Sequence, residues 1–145
     1  MRMNPRTIVL VEDDLADIEL TRVALSEVNV AHEFEAISDG REALARLQRT
    51  GPYEKHSVPG LVLLDLNLPH MLGLDLLRQL KEHPDTRPIP VVVFSGSEDP
   101  RVIADVYARH ANAFIHKPAD VTSFALALRM SAEYWLGQVV QVGSV

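Results

Sequence analysis

Five short apolar runs alternate with longer segments of helical periodicity along the chain, and this alternation constrains the fold more than any other feature. The pattern is typical of βαβ units, in which the strands lie parallel and the helices cover both faces of the sheet. The apolar runs predict strands at Thr7–Val11, Glu33–Ile37, Leu61–Leu64, Val91–Phe94 and Ala113–Ile115. The segments between and after them predict helices at Leu15–Glu27, Gly40–Arg49, Leu74–His83, Asp99–His110 and Val121–Gly137.

The third and fourth runs are apolar with almost no alternation, which is expected of strands that helices cover on both faces. They are predicted to form the middle of the sheet. A length of 145 residues fits one domain with a real hydrophobic core. No internal repeat or break in composition divides the chain, so we expect a single domain over residues 1–145, with a core at about 6–137 and a short tail.

Charge and composition exclude several classes of protein. The formal net charge of −6 argues against direct, sequence-independent binding of nucleic acid, which needs clustered Lys and Arg. The absence of cysteine excludes disulfides and thiolate metal sites. The first residues resemble neither a signal peptide nor a membrane-spanning helix. We therefore expect a cytoplasmic protein that binds no membrane.

Acidic residues follow two of the predicted strands. Glu12, Asp13 and Asp14 come directly after the first strand, and Asp65 follows the third. The carboxyl ends of neighbouring parallel strands meet in one crevice, where ligands bind. Carboxylates brought together there need a counter-charge, and a hard cation such as Mg²⁺ supplies it. Asp14 is better explained as a helix N-cap, whose carboxylate binds free backbone amides.

A serine and a lysine follow the two remaining strands that are expected at this edge. Ser95 ends the fourth apolar run, and Lys117 precedes Pro118 after the fifth. Alone, such a serine is usually a turn residue and such a lysine a solvated surface charge. Together with a cation, the hydroxyl and the ammonium would neutralise the oxygens of a phosphoryl group carried by Asp65. The residue before a proline is kept out of helical geometry, which would hold Lys117 at the crevice.

These residues, in this order, resemble the receiver domains of two-component response regulators, and the resemblance covers almost the whole chain. The family has an acidic pair after the first strand, a phospho-accepting Asp after the third, Ser or Thr after the fourth and Lys-Pro after the fifth. The matching residues are Glu12-Asp13, Asp65, Ser95 and Lys117-Pro118. Each of these motifs is weak alone, but the ordered set is specific.

The resemblance implies a flavodoxin-like, doubly wound α/β fold, with a five-stranded parallel sheet in the order 2-1-3-4-5 and five flanking helices. It implies that Asp13 and Asp65 bind Mg²⁺ by their carboxylates, Asn67 by its backbone carbonyl and Glu12 through water. Lys117, Ser95 and Gly96 would accommodate the phosphoryl group, with Gly96 leaving room for the phosphodonor. Asn67 and Ser97 match the positions that tune the lifetime of the phosphorylated state.

The resemblance also implies a conformational switch in which Ser95 moves toward the phosphate and the ring of Phe114 turns inward. The alternative for Phe114 is an edge-strand residue that a helix half covers. Pro69 and Gly73 match the loop after the acceptor, where the resemblance implies that glycine permits a backbone geometry other residues resist.

Two further segments depart from the generic family. The connection from Arg49 to Gly60 is longer than usual, and it is either functional or a tolerated surface insertion. The last helix has two apolar stripes: Phe124, Leu128, Ala132 and Trp135 on one face, and Leu126, Met130 and Tyr134 on another. A helix that is apolar on two faces needs two surfaces to pack against.

The second stripe predicts a homodimer through the last two helices and the fifth strand, extended by Val139, Val140 and Val142. The long connection and the Tyr134-Trp135-Leu136 sequence resemble the single-domain response regulators that work with bacterial and cyanobacterial phytochromes.

The predicted function is that of a stand-alone response regulator. A sensor histidine kinase, of the bacteriophytochrome type if the narrower resemblance holds, would phosphorylate Asp65, and the altered surface would carry the signal. The protein would catalyse only its own phosphorylation and dephosphorylation. The alternatives are a receiver-like adaptor that is never phosphorylated, a phosphatase with an aspartyl-phosphate intermediate and a flavin-binding protein. Asn67 breaks the two-aspartate pattern of such phosphatases, and Glu12-Asp13-Asp14 would repel a flavin phosphate.

Overall fold

A computed structural model describes residues 6–141, which form a five-stranded parallel sheet with helices on both faces. The strands are β1 (Arg6–Val11), β2 (His32–Ile37), β3 (Leu61–Asp65), β4 (Val91–Ser95) and β5 (Ala113–His116). The helices are α1 (Leu15–Ser26), α2 (Gly40–Gln48), α3 (Gly73–Glu82), α4 (Pro100–Ala108) and α5 (Val121–Glu133). The strand order is β2-β1-β3-β4-β5, so the predicted fold class and topology are confirmed.

The apolar strands lie in the middle of the molecule, as predicted. All five residues of β4 are buried, and in β3 only Asp65 at the end has partial exposure. One face of the sheet packs on α1 and α5 through Leu25, Phe124 and Leu128, among others. The other face packs on α2, α3 and α4. Because every connection from strand to helix lies at the same edge, the residues that follow β1, β3, β4 and β5 converge there.

Most element boundaries lie within one or two residues of the predictions. Helix α4 begins at Pro100 because Asp99 is its N-cap and accepts a hydrogen bond from the Arg101 amide. The last helix differs more, since regular α-helix ends at Glu133. One π-helical turn follows over Tyr134–Gln138, closed by the bond from the Val139 amide to the Tyr134 carbonyl.

The long connection between α2 and β3 is anchored by a buried arginine. Arg46 is completely buried, and its guanidinium binds the Glu35 carboxylate at 2.8 and 3.2 Å. It also donates to the carbonyl of Ser57 in the connection, at 2.9 Å. The Tyr53 hydroxyl donates to Glu42 of α2 at 2.6 Å. The connection is therefore held against the body of the domain at two points.

The two apolar stripes that run along α5 into the π-helical turn differ in burial. Phe124, Leu128 and Ala132 are buried and Trp135 packs against the same core, whereas Leu126, Met130 and Tyr134 are 49, 60 and 56% exposed. In the tail Val140 is exposed, and Val142 lies outside the described residues. None of the helices within residues 6–141 is long and apolar enough to cross a membrane.

Candidate functional site

Three carboxylates meet where β1 and β3 end. Glu12 and Asp13 follow β1, and Asp65 is the last residue of the neighbouring strand β3. One carboxylate oxygen from each lies within 4.8 Å of the other two. An all-oxygen, strongly anionic donor set of this kind fits a hard divalent cation such as Mg²⁺ and does not fit softer metals.

Glu12 is the most deeply buried of the three carboxylates, with 3% of the residue exposed. Burial, together with its hydrogen bond to Asp65 and the charge of that residue, raises the pKa of Glu12 to about 7. The Asp14 amide and the charge of Lys117 oppose this shift. Without a cation, the ionised form of Glu12 is therefore unfavourable in the folded protein. A bound cation would favour the ionised form instead.

Lys117 supplies the positive charge of the crevice. Its amide donates to the Ser95 carbonyl in the β4–β5 ladder, which fixes the backbone at the edge of the sheet. The ammonium lies 3.1 Å from Glu12 and 3.4 Å from Asp65. Burial alone would lower the pKa of Lys117, but these carboxylates and a hydrogen bond to Asp17 raise it above its usual range.

Asp17 is a site residue that the sequence reasoning missed. It lies in the first turn of α1, and its carboxylate is 2.8 Å from the Lys117 ammonium. The available signal was its place in the first turn of the helix that starts directly after Glu12 and Asp13. Asp14, in contrast, is the N-cap that the sequence predicts, and it accepts a hydrogen bond from the Asp17 amide at 3.0 Å.

Ser95 and Gly96 lie at the end of β4, next to the end of β3 that carries Asp65. Ser95 is buried at the end of β4, and its hydroxyl accepts a hydrogen bond from the Ser97 amide at 3.2 Å. A Cβ added to Gly96 would have no neighbour within 4 Å. Both residues line a groove of about 420 Å³, which Leu66, Asn67, Leu72 and Ser97 also border. Open space therefore adjoins Gly96 at the end of β4.

The loop after Asp65 is fixed by backbone contacts. The Asn67 amide donates to the Asp65 carboxylate at 3.1 Å, and the Gly73 amide donates to the Leu66 carbonyl at 2.9 Å. The sequence interpretation gave the wrong reason for a glycine at position 73. The φ angle of Gly73 is not positive, and the described glycine with a positive φ is Gly51. Gly73 is required by close approach instead. A Cβ there would lie 2.7 Å from the Asp65 carbonyl oxygen.

Phe114 lies on β5 at the open edge of the sheet, half-buried against the core. Its backbone amide points away from β4 and donates to the Tyr107 hydroxyl of α4 at 3.0 Å. The sequence predicts this edge position but gives no indication of the tyrosine contact. Phe114 is thus tied to α4 on one side and to the strand that carries Ser95 on the other.

The amino-acid sequence matches a known protein family over most of its length. A family model described as a response regulator receiver domain matches residues 8–129. Response regulator Rcp1 of Synechocystis sp. is 36% identical over 135 residues, which cover 93% of this chain and 92% of that protein.

Solved structures show the same similarity in three dimensions. The phosphorylated cyanobacterial phytochrome response regulator RcpA superposes with a TM-score of 0.91 at 38% identity, covering 95% of this chain and 99% of that one. The Mn²⁺-bound form of Rcp1 gives a TM-score of 0.89 at 35% identity, covering 94% of this chain and 99% of the other.

Proposed function

The chain belongs to the family of response regulator receiver domains, and on that premise we propose that Asp65 is the residue that accepts the phosphoryl group. The observation that carries the proposal is the position of Asp65. Its side chain is 12% exposed, shares a crevice with Glu12 and Asp13, and lies 3.4 Å from the Lys117 ammonium. A nucleophilic carboxylate is thus surrounded by the charges that phosphoryl transfer requires.

The transfer forms one bond and breaks another. An Asp65 carboxylate oxygen attacks the phosphorus of a phosphohistidine, the oxygen–phosphorus bond forms, and the bond to the imidazole nitrogen breaks. Lys117 stabilises the negative charge on the transferred oxygens, and Gly96 leaves the approach open. Asp13, Asp65, the Asn67 carbonyl and, through water, Glu12 would hold a Mg²⁺ ion, which would supply further positive charge. Hydrolysis later returns Asp65 and releases inorganic phosphate.

The phosphorylated state is read through Ser95 and Phe114. A phosphoryl group carries about −1.5 to −2 charges and strong acceptor oxygens, so it attracts the Ser95 hydroxyl. That movement would break the hydrogen bond from the Ser97 amide and make room for the Phe114 ring to turn inward. Phosphorylation then shifts the population between two states of the α4–β5 surface. Asn67 and Ser97 line the groove beside Ser95 and would set the lifetime of the phosphorylated state.

Incubation with acetyl phosphate and Mg²⁺, followed by intact-mass measurement, tests the assignment. Wild type is expected to gain one phosphoryl group, and Asp65→Asn is expected to gain none. Asp14→Asn is the matched control, because it removes a neighbouring carboxylate and retains a good N-cap. Failure of wild type to gain the group would favour the unphosphorylated adaptor, and equal labelling of Asp65→Asn would place the acceptor elsewhere.

We further propose that the phosphodonor is a sensor histidine kinase of the phytochrome type. RcpA is a phytochrome response regulator, and its similarity extends over 95% of this chain. The test compares phosphoryl transfer from autophosphorylated phytochrome-type and unrelated histidine kinases of the source organism. Faster transfer from the phytochrome-type kinase is expected, and equal or slower transfer would contradict the pairing.

The exposed α5 stripe supports a homodimer through α4, β5 and α5. Leu126 and Met130 lie on the solvent side of α5, and Tyr134 is exposed in the π-helical turn that follows it. Tyr107 of α4 is 49% exposed. Met130→Glu is expected to give monomers in sedimentation experiments in which wild type is dimeric. Val23→Glu, which places the same charge on an exposed position of α1, should leave the dimer intact. A wild type that is monomeric at micromolar concentration, phosphorylated or not, would contradict the dimer.

In this proposal the chain acts in the cytoplasm, on no external substrate and without direct contact with nucleic acid. Support comes from the carboxylate crevice, which is suited to modification of the chain itself, and from the net charge of −6.

A further inference from the structure

Asp17 makes a close ionic contact with Lys117 although it is not among the residues by which the sequence identifies the site. The distance of 2.8 Å is shorter than those from Lys117 to Glu12 and to Asp65, which are 3.1 and 3.4 Å. The side chain of Asp17 is 29% exposed and that of Lys117 is 19% exposed, so water screens the pair only partly. Their contact is therefore a strong charge-assisted hydrogen bond.

The backbone of Asp17 is fixed by its place in α1. Its amide donates to the N-cap Asp14 at 3.0 Å, and its carbonyl accepts from the buried Thr21 hydroxyl at 2.7 Å. The carboxylate is thus presented to Lys117 by the first turn of a helix, without dependence on a mobile loop.

The Lys117 ammonium has three protons, and three carboxylates accept from it. A phosphoryl group on Asp65 would bring additional acceptor oxygens and charge into the same crevice. Because Asp65 itself becomes the phosphorylated group, phosphoryl oxygens replace its contact with Lys117, while Glu12 and Asp17 continue to draw the ammonium toward themselves. Glu12 is buried at the end of β1 and would remain beside a bound cation, whereas Asp17 is more exposed and can turn to solvent.

We propose that Asp17 is a positioning residue that competes with the phosphoryl group for Lys117, and thereby weakens the hold of the site on that group. The inference rests on the proposed function, because it requires a phosphoryl group on Asp65. Asp17 draws the ammonium toward the first turn of α1, so Lys117 moves away from Asp17 as it closes on the phosphoryl oxygens, and phosphorylation weakens the contact between Lys117 and α1. The strength of that contact sets how readily the phosphorylated state forms.

Beryllofluoride, an analogue of the phosphoryl group, tests the competition without hydrolysis. Its binding in the presence of Mg²⁺ is followed by ¹⁹F NMR for wild type, Asp17→Asn and Asp17→Ser. Both variants are expected to bind beryllofluoride about five- to tenfold more tightly than wild type, because no carboxylate at position 17 then competes for the Lys117 ammonium. Urea unfolding verifies that each variant is folded.

The matched control is Glu19→Gln. It removes the same charge from the same helix, but Glu19 binds the exposed Arg22 and not Lys117. Its affinity for beryllofluoride is expected to stay within about twofold of the wild-type value, since an exposed charge is well screened. A gain equal to that of Asp17→Asn would mean that net charge, rather than competition for Lys117, determines the affinity.

The decisive measurement repeats Asp17→Asn in a Lys117→Met background, with beryllofluoride raised until the Lys117→Met parent is half saturated. Competition predicts that the effect of Asp17→Asn disappears there. Persistence of the effect, or no effect in the wild-type background, would overturn the inference. If wild type binds no beryllofluoride and accepts no phosphoryl group from acetyl phosphate, the proposed function itself is wrong.

Discussion

Gly73 lies so close to Leu66 that a Cβ on the glycine would be 2.5 Å from the Leu66 Cα. The atoms in the way belong to the backbone that carries Asp65, so no side chain can move aside to accommodate a methyl group. We expect Gly73→Ala to lower the free energy of unfolding by about 2 kcal/mol, a typical cost of overpacking. It should also slow phosphorylation by acetyl phosphate, because the displaced loop carries the acceptor. Urea denaturation and intact-mass time courses measure the two effects.

Gly96→Ala provides the comparison for Gly73→Ala. A Cβ at Gly96 meets nothing within 4 Å, so this substitution should leave stability nearly unchanged. A methyl group there would instead narrow the groove beside Ser95. Equal loss of stability in the two alanine variants would show that close approach is not what requires glycine at position 73.

Glu12→Gln separates the unfavourable charge of Glu12 from its contribution to metal binding. At pH 8, above the pKa of about 7, Glu12 is charged, and without metal its charge opposes folding. The variant is therefore expected to be more stable than wild type in chelator. Its affinity for Mg²⁺ should fall roughly tenfold to a hundredfold, the usual effect of losing a group that orients metal-bound water. Urea denaturation with and without Mg²⁺, and calorimetric titration, check both results.

Glu33→Gln is the control for Glu12→Gln, because Glu33 is an exposed residue of β2 and carries the same charge. Glu33→Gln should change neither the free energy of unfolding in chelator nor the affinity for Mg²⁺. A Glu12→Gln variant that is less stable than wild type in chelator would show that the bond from Lys117 outweighs the cost of burying the carboxylate.

Lys81 is a buried lysine for which the described residues provide no carboxylate partner. Its ammonium donates to the Arg87 and Ile89 carbonyls and to the side-chain oxygen of Asn112, at 2.9, 2.7 and 3.0 Å. These contacts join the end of α3 to the starts of β4 and β5. Burial lowers the pKa of Lys81 from 10.5 to about 8.

This pKa shift predicts the direction in which stability changes with pH. Between pH 8 and 10 the unfolded chain keeps the Lys81 proton and the folded protein loses it, so this residue makes the free energy of unfolding rise with pH. The raised pKa of Lys117 adds no slope here, because that residue stays protonated in both states. The unfolding free energy of wild type minus that of Lys81→Met should therefore rise with pH, by at most about 1.4 kcal/mol per pH unit.

Urea denaturation at several values between pH 7 and 9.5 measures the slope. Lys55→Met is the matched variant, since Lys55 is exposed in the long connection before β3. A constant difference between wild type and Lys81→Met over this interval would show that the three carbonyl contacts keep Lys81 charged.

The sequence was sufficient to predict the sheet and the residues at its carboxyl edge. Strand periodicity and the chemistry of Glu12, Asp65 and Lys117 are local properties, and the βαβ pattern forces the ends of the strands together. The predicted positions of these residues did not depend on any particular side-chain conformation.

The sequence was insufficient where a charged side chain has two ordinary interpretations. Arg46 and Lys81 share the helix face of the buried residues Ala43 and Leu77, but a charged residue there is ordinarily interpreted as lying at the solvated margin of that face. Asp17 resembles any acidic residue in a first helical turn, which the helix dipole favours anyway. The contact of Tyr107 with Phe114 joins two elements and has no local pattern at all.

The contact between Tyr107 and Phe114 also bears on aggregation. An unpaired edge strand offers its amides and carbonyls to any extended chain that approaches, and sheets grow from such edges. At β5 the outward-facing amide of Phe114 already donates a hydrogen bond to the Tyr107 hydroxyl. A neighbouring strand would have to displace that hydroxyl before it could pair. The tyrosine therefore protects the open edge of the sheet, and copies of the chain that meet at β5 are left to associate through side chains.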